Sequence, residues 1–68
     1  MQENTVKVFS GSQLYQVSIA RALLEDEGIP CFVIDKKDSS YIFGEIELYV
    51  HAELADKALL LLTENDLL

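Results

Sequence analysis

The fold is decided by the stretch LLEDEGIPCFVID, which occupies residues 23–35. Gly28 stands where a left-handed residue that closes a helix is wanted, and Ile29 can pack back on Leu24 as in a Schellman motif. Pro30 prevents the helix from continuing, because it has no backbone N–H to donate. The next four residues are all apolar, which predicts a strand that is covered on both faces. A helix therefore ends and a strand begins within this stretch.

Upstream, the pattern predicts one strand followed by one helix. Residues 5–10 alternate, with Val6 and Val8 on one face, as a half-buried strand does. Residues 13–27 carry apolar side chains at helical spacing, which predicts an amphipathic helix. The predicted buried positions of this helix are Val17, Ala20 and Leu24, with Ile19 and Leu23 widening the apolar face.

The turn between these two elements is Ser10-Gly11-Ser12. Ser10 and Gln13 have the spacing of a capping box, and Ser12 is a competing N-cap. Helix N-termini also attract anions, so the three turn residues are a candidate ligand loop. No Gly-rich fingerprint and no lysine accompany them, and the sequence therefore favours a capped turn over a phosphate site.

Downstream, the polar residues 36–40 predict a hairpin loop that leads into a third strand. This strand has the clearest alternation in the chain, and an earlier start at Tyr41 with a bulge at Gly44 stays open. One predicted face carries Ile46, Leu48 and Val50, and the other carries Glu45, Glu47, Tyr49 and His51. Residues 52–64 predict a second helix, on which Leu60 is stranded among polar side chains. Its predicted apolar side consists of Leu54, Ala55, Ala58, Leu59, Leu61 and Leu62.

The order of elements predicts an α+β fold, a ferredoxin-like β-α-β-β-α half-sandwich. The long first connection makes strands one and two parallel, and the short second loop makes strands two and three antiparallel. The natural solution is a three-stranded sheet with strand three in the middle and both helices on one face. We expect one domain over residues 1–68, because a chain of 68 residues leaves no room for a second.

Composition limits the class of protein and the partners. The chain has 12 acidic and five basic residues and a net charge of −7, which disfavours nucleic acids and anionic membranes as partners. The longest apolar run, residues 58–62, is far shorter than the ~20 residues of a membrane helix. Cys31 is the only cysteine, and the N-terminal residues lack the pattern of a secretion signal. We therefore expect a cytoplasmic protein.

Two segments are similar to a known family. Residues 18–30, SIARALLEDEGIP, resemble the helix and Gly-Ile-Pro exit of a small bacterial family of unknown function, the putative prokaryotic signal-transducing proteins. Residues 46–50, IELYV, followed by residues 55–62, resemble its final strand and helix. The resemblance implies a fold related to the nitrogen-regulatory signal transducers, which sense small molecules and bind protein partners. Members often have proline after the last strand, whereas His51 and Ala52 stand there in this chain.

Catalytic and metal-binding chemistry has few residues to work with. His51 is the only histidine, and although Glu47 and Glu53 are candidate partners, nothing in the sequence orients them. Cys31 lies in an apolar strand, where burial raises the thiol pKa and makes it inert. A structural zinc site needs four Cys or His ligands, and the chain has two. We predict a protein that is not an enzyme, with no catalytic residue, metal site or cofactor.

What remains for function is surface. A sheet with both helices on one face leaves aromatic side chains on the other, and such a face is typical of an interface. The candidate interface residues are Phe9, Phe32, Ile34, Tyr41, Phe43 and Tyr49. We expect a homodimer or contact with another protein. The leading interpretation is a non-enzymatic sensing or adaptor module with a possible small ligand, and the alternative is a structural assembly subunit. The acidic residues 25–27 are either a solvated turn or a docking point for a basic partner.

Overall fold

The computed structural model describes residues 4–35 and 45–68 of the chain. Strand β1 (Thr5–Gly11) leads into helix α1 (Leu14–Asp26), which is followed by strand β2 (Cys31–Asp35). Strand β3 (Ile46–His51) passes through a 3-10 turn (Ala52–Leu54) into helix α2 (Ala55–Glu64). The element order is the predicted β-α-β-β-α.

The three strands form one sheet in the order β1-β3-β2. Both outer strands run antiparallel to β3, so they are parallel to each other, as predicted. Alternate residues of β3 enter a single core together with buried residues of both helices, which places both helices on the same face of the sheet. The fold is a small α+β ferredoxin-like half-sandwich. Its core consists of Val8, Val17, Ala20, Leu24, Ile29, Ile46, Leu48, Val50, Ala58 and Leu62.

The helix faces agree with the predicted pattern except at two positions. All three expected core residues of α1 are buried, but Ile19 is 54% exposed and points away from the sheet. On α2, Ala58 and Leu62 are buried, whereas Leu59 is 39% exposed. Each helix buries a narrower stripe than its apolar residues allow, because three short strands offer little surface to cover.

The end of α1 has the predicted Schellman geometry. The Gly28 N–H donates to the Glu25 carbonyl and the Ile29 N–H to the Leu24 carbonyl, each at 3.0 Å. Gly28 has φ +81°, and both Leu24 and Ile29 are buried in the core. These bonds satisfy carbonyls that the helix would otherwise leave open.

The start of α1 differs from the prediction. Strand β1 continues to Gly11, so neither Ser10 nor Ser12 caps the helix, and the N-cap is Gln13. The Gln13 N–H donates to Gln16 Oε1 at 3.1 Å. The longer strand is possible because Gly11 leaves room for Gln16: a Cβ at Gly11 would lie 2.9 Å from Gln16 Oε1 and 3.2 Å from its Cβ.

Helix α2 also begins and ends in ways that the sequence did not indicate. The 3-10 turn precedes the α-helix, and the helix closes with a second Schellman pair. The Asp66 N–H donates to the Thr63 carbonyl at 3.1 Å, and the Leu67 N–H to the Leu62 carbonyl at 2.9 Å. Asp66 takes φ +60°, a left-handed conformation at a residue that is not glycine.

Some predictions lie outside the described residues: the hairpin loop over residues 36–40, the start of the third strand at Tyr41, and the bulge at Gly44. Within the described residues the bulge is in β1, where Val8 is inserted between Lys7 and Phe9. In the same part of the chain, neither helix has the length and apolar character that crossing a membrane requires.

Candidate functional site

The face of the sheet opposite the helices is the candidate site, and we call it the open face. It is built by the β3 residues that alternate with the core positions, together with their cross-strand neighbours. In register, Tyr49 pairs with Lys7 on one side and with Phe32 on the other. The open face consists of Thr5, Lys7, Ser10, Phe32, Ile34, Glu47, Tyr49 and His51.

A charged group lies at the centre of this face. Glu47 is only 9% exposed although no described helix covers it. Its Oε1 accepts a hydrogen bond from the Tyr49 hydroxyl at 2.9 Å, and its Oε2 lies 3.6 Å from Lys7 Nζ. A carboxylate withdrawn from water needs such partners, because charge without them is costly to bury. The ion pair also joins β1 to β3 across the sheet.

An aromatic pair stands beside this network. The rings of Phe32 and His51 meet edge to face, with centroids 5.2 Å apart and planes at 89°. This arrangement is a favourable geometry for two rings. Ile34, two residues along β2, pairs with Glu47 and is half-buried. One side of the open face is therefore apolar and aromatic, whereas the other carries the cation of Lys7.

The structure corrects the predicted position of Phe9. The bulge at Val8 brings Phe9 opposite Leu48, a core residue, and Phe9 packs against the core. Phe9 therefore does not belong to the open face. Phe32, Ile34 and Tyr49 lie on that face as expected. The other two interface candidates, Tyr41 and Phe43, lie outside the described residues.

The candidate ligand loop does not form as a loop. Ser10 pairs with Glu47 and Gly11 with Ile46 in the β1–β3 ladder, and only Ser12 lies in the bend before α1. Two of the three residues are thus committed to the sheet. The end of a strand therefore stands where the sequence favoured a capped turn and offered a candidate ligand loop.

Cys31 has the environment of an unreactive thiol. Its Sγ–H donates to the Ile29 carbonyl at 3.4 Å, and its side chain packs against the core. Burial, helped by the nearby Glu25 carboxylate and opposed by Arg21, raises the pKa of Cys31 to about 11. Neutral pH therefore leaves it as a thiol, which is a poor nucleophile.

Two shallow grooves border the sheet. One, of about 310 Å³, follows β1 along residues 7–10 and is also lined by Leu67 and Leu68. The other, of about 280 Å³, is lined by Asn4, His51, Ala52 and Glu53. Both volumes are near the lower limit of those found for small-molecule sites. Among residues 4–35 and 45–68, no three metal-ligating side chains come together.

Fold and open face together define a class of protein: a small α+β module whose two described helices cover the same side of a three-stranded sheet. Residues 5–66 match the model of a family described as "putative prokaryotic signal transducing protein", and the chain belongs to that family. No curated protein and no solved structure matches the chain at a significant level. The family match agrees with the resemblance seen in residues 18–30 and 46–50.

Sequence reasoning missed the ion pair at the centre of the open face. Lys7 and Glu47 are the kind of cross-strand pair that a sheet favours. Their meeting depends on register, and the bulge at Val8 shifts that register by one residue. An alternation pattern has no signal for a bulge that lacks glycine, so the pair could be found only in the structure.

Proposed function

We propose that this chain is a non-enzymatic signal-transducing adaptor that acts through reversible protein contacts made by its open face. The observation that carries the proposal is the combination of half-buried apolar side chains, Phe32 and Ile34, with a compensated charge on a face that no described helix covers. Apolar area rimmed by polar groups is typical of contact surfaces. Membership of a family described as signal transducing supports the same role.

The size of the open face favours a reversible contact over a permanent one. Three strands about 4.8 Å apart and about 20 Å long present a projected area of roughly 300 Å². Allowing for relief, the accessible area is well below the ~800 Å² per partner of a standard interface. Transient signalling contacts lie at this low end, whereas permanent subunits bury more.

A structural assembly subunit is the second candidate function, and the exposed edge of β1 favours it. Within the described residues β1 pairs with β3 alone, which makes it an edge strand of the sheet, the position at which strands are added. Strand addition there would produce a fixed assembly that does not depend on the open face.

Sedimentation equilibrium over a micromolar concentration series tests the proposal. We expect the parent to show a reversible monomer–dimer equilibrium, because a second copy is a partner that is present in every sample. Phe32→Ser and Ile34→Ser should shift the chain to monomer, since each removes apolar area from the open face. Leu60→Ser is the matched control, because Leu60 is 58% exposed on α2.

Three outcomes count against the proposal. A monomer at every concentration would show that the open face does not bind a second copy of the chain. A dimer that ignores both β2 substitutions, or an oligomer that never dissociates on dilution, favours assembly through the β1 edge instead. Each variant is first checked by circular dichroism, so that loss of fold is not taken for loss of contact.

A further inference from the structure

The outer side of α1 carries an apolar stripe that the fold does not use. Tyr15 is 65% exposed and Ile19 is 54% exposed, and they lie one turn apart on the side opposite the core residues of α1. Exposed Ala22 continues the stripe by another turn. We call Tyr15, Ile19 and Ala22 the α1 outer stripe. A helix that needs only one apolar face for its own fold here carries two.

The same stripe leads into uncompensated negative charge. Asp26 follows Ala22 by one turn, Glu27 is next to it, and both are exposed. The Glu25 carboxylate is held by Arg21 Nε at 3.2 Å, but among the described residues the side chains of Asp26 and Glu27 form no ion pair. They lie at the C-terminal end of the helix, where the dipole is already negative. The fold gains no stability from these two charges.

The second helix shows that this arrangement is particular to α1. Leu60 is exposed to a similar degree, at 58%, on the outer side of α2. Its neighbours one turn away are Asp56, Lys57, Thr63 and Glu64, all exposed and polar. An isolated exposed leucine surrounded by polar side chains is ordinary. The α1 outer stripe, in contrast, is continuous over two turns.

We propose that the α1 outer stripe docks an amphipathic helix of a basic partner protein, with Lys or Arg side chains against Asp26 and Glu27. The α1 outer stripe and the Asp26 carboxylate that follows it together span about 16 Å from Tyr15 to Asp26, which accommodates three turns of a partner helix. Apolar anchors at helical spacing are the usual way in which a helix binds to such a surface. The open face contributes no residue to this contact, so an adaptor would have two separate docking surfaces.

A second copy of the chain is a poorer occupant of the stripe, because the part of the chain that the structure describes offers only one cation outside an ion pair, Lys57. The described basic residues are Lys7, Arg21 and Lys57, of which Lys7 is paired with Glu47 and Arg21 with Glu25. Charge complementarity therefore selects a basic partner.

The test uses the full chain and a synthetic leucine–lysine helix of about 18 residues with a fluorescent label. Binding is followed by anisotropy between about 50 and about 300 mM salt. We expect Ile19→Ser to weaken binding roughly tenfold, as loss of a central apolar anchor does. The double variant Asp26→Asn, Glu27→Gln should weaken it several-fold and flatten the salt dependence.

Matched controls keep the outcome specific to the stripe. Leu60→Ser and Glu64→Gln change the same chemistry on α2 and should leave the affinity unchanged. Phe32→Ser should also leave it unchanged, which separates this surface from the open face. Equal losses of affinity for the basic helix in Ile19→Ser and Leu60→Ser would overturn the proposal. So would equally tight binding of a leucine–glutamate helix of the same pattern, or a parent dimer that Ile19→Ser dissociates while the basic helix fails to bind.

Discussion

Both helices close on a residue in the left-handed region, but only one of these residues is glycine. At Gly28 an added Cβ would meet nothing within 4 Å, so the cost of a side chain there comes from φ +81° alone. We expect Gly28→Ala to lower the free energy of unfolding by about 1 kcal/mol, and Gly28→Val by more. At Asp66 the strain is already present, so Asp66→Gly should raise stability by about 0.5–1 kcal/mol.

Urea denaturation of these variants measures the change in the free energy of unfolding, which we expect to be a loss for the Gly28 variants and a gain for Asp66→Gly. Asp66→Asn is the control, because it removes the carboxylate from the helix C-terminus while it keeps a side chain that tolerates this conformation. If Asp66→Asn and Asp66→Gly stabilise equally, charge explains the gain and backbone strain does not. A Gly28→Val variant that unfolds like the parent would contradict the role of Gly28 in closing α1.

The thiol of Cys31 links stability to alkaline pH. Its pKa is raised from an ordinary 9.0 to about 11, first by burial and then by Glu25. The folded state therefore keeps its proton where the unfolded state has lost it. This contribution to stability is complete below pH 9 and is lost as the pH rises from 9 to about 11. Alkylation at pH 8 should be up to a hundredfold slower in the folded than in the unfolded chain, in proportion to the thiolate fraction.

Iodoacetamide labelling followed by mass spectrometry gives these rates. Glu25→Gln should speed the reaction, because it removes a negative charge that opposes ionisation and releases Arg21. Glu27→Gln changes the same charge on a residue that does not affect the thiol, and should leave the rate unchanged. Rapid alkylation of the folded parent at pH 8 would contradict a raised thiol pKa at Cys31.

At the scale of elements, β1 and α1 are joined through one close approach. Gly11→Ala would bring a Cβ within 2.9 Å of Gln16 Oε1, and the Gln16 side chain would have to move away. That movement breaks the bond from the Gln13 N–H and leaves the start of α1 without its cap. We expect a loss of about 0.5–1.5 kcal/mol in the free energy of unfolding.

A double-mutant cycle isolates this effect. Gln16→Ala loses the same hydrogen bond but removes the 2.9 Å conflict with Oε1 and leaves only the 3.2 Å approach to the Cβ of residue 16, so Gly11→Ala should cost less in its presence. Thermal or urea denaturation of the four proteins gives the coupling energy. Additive losses at the two positions would mean that Gly11 serves the strand itself and not the start of the helix.

The elements that could be predicted are those whose signals are local. The Gly28–Pro30 exit, the core residues of α1 and the alternation of β3 each depend on neighbours in sequence, and all are as expected. The structure differs from the prediction where contacts between residues distant in sequence determine the local conformation. A bulge moves Phe9 toward the core, a longer β1 displaces the cap to Gln13, and Asp66 closes α2 where no glycine marks the end. None of these has a composition or a spacing that distinguishes it in advance.

How much of the candidate site could be predicted depends on the register between the strands. The predicted open face correctly included Phe32, Ile34 and Tyr49, because β2 and β3 pair without irregularity. The Lys7–Glu47 pair depends on the irregular β1–β3 ladder and on burial of a carboxylate.

At the scale of the whole molecule, net charge should make stability depend on salt. With 12 acidic and five basic residues, repulsion between carboxylates is spread over the surface and is relieved when salt screens it. Among the described residues, the ion pairs Lys7–Glu47 and Arg21–Glu25 respond in the opposite sense. The exposed Arg21–Glu25 pair contributes only about 0–1 kcal/mol, and salt weakens the Lys7–Glu47 pair less, because the Glu47 carboxylate is largely withdrawn from water. Repulsion therefore prevails, and we expect the melting temperature to rise by several degrees between about 10 mM and about 0.5 M sodium chloride.

Charge variants locate the origin of this dependence. Asp26→Asn with Glu27→Gln should raise the melting temperature at low salt and reduce its rise with added salt, because both carboxylates lie at the negative end of α1. Glu53→Gln makes a comparable change at the start of the second helical segment, where a negative charge is favourable, and should lower the melting temperature slightly. Sodium sulfate is unsuitable for the measurement, since it also strengthens apolar burial. A melting temperature that falls with sodium chloride would mean that the ion pairs outweigh the repulsion, and the acidic end of α1 would then not be a source of strain that a basic partner could relieve.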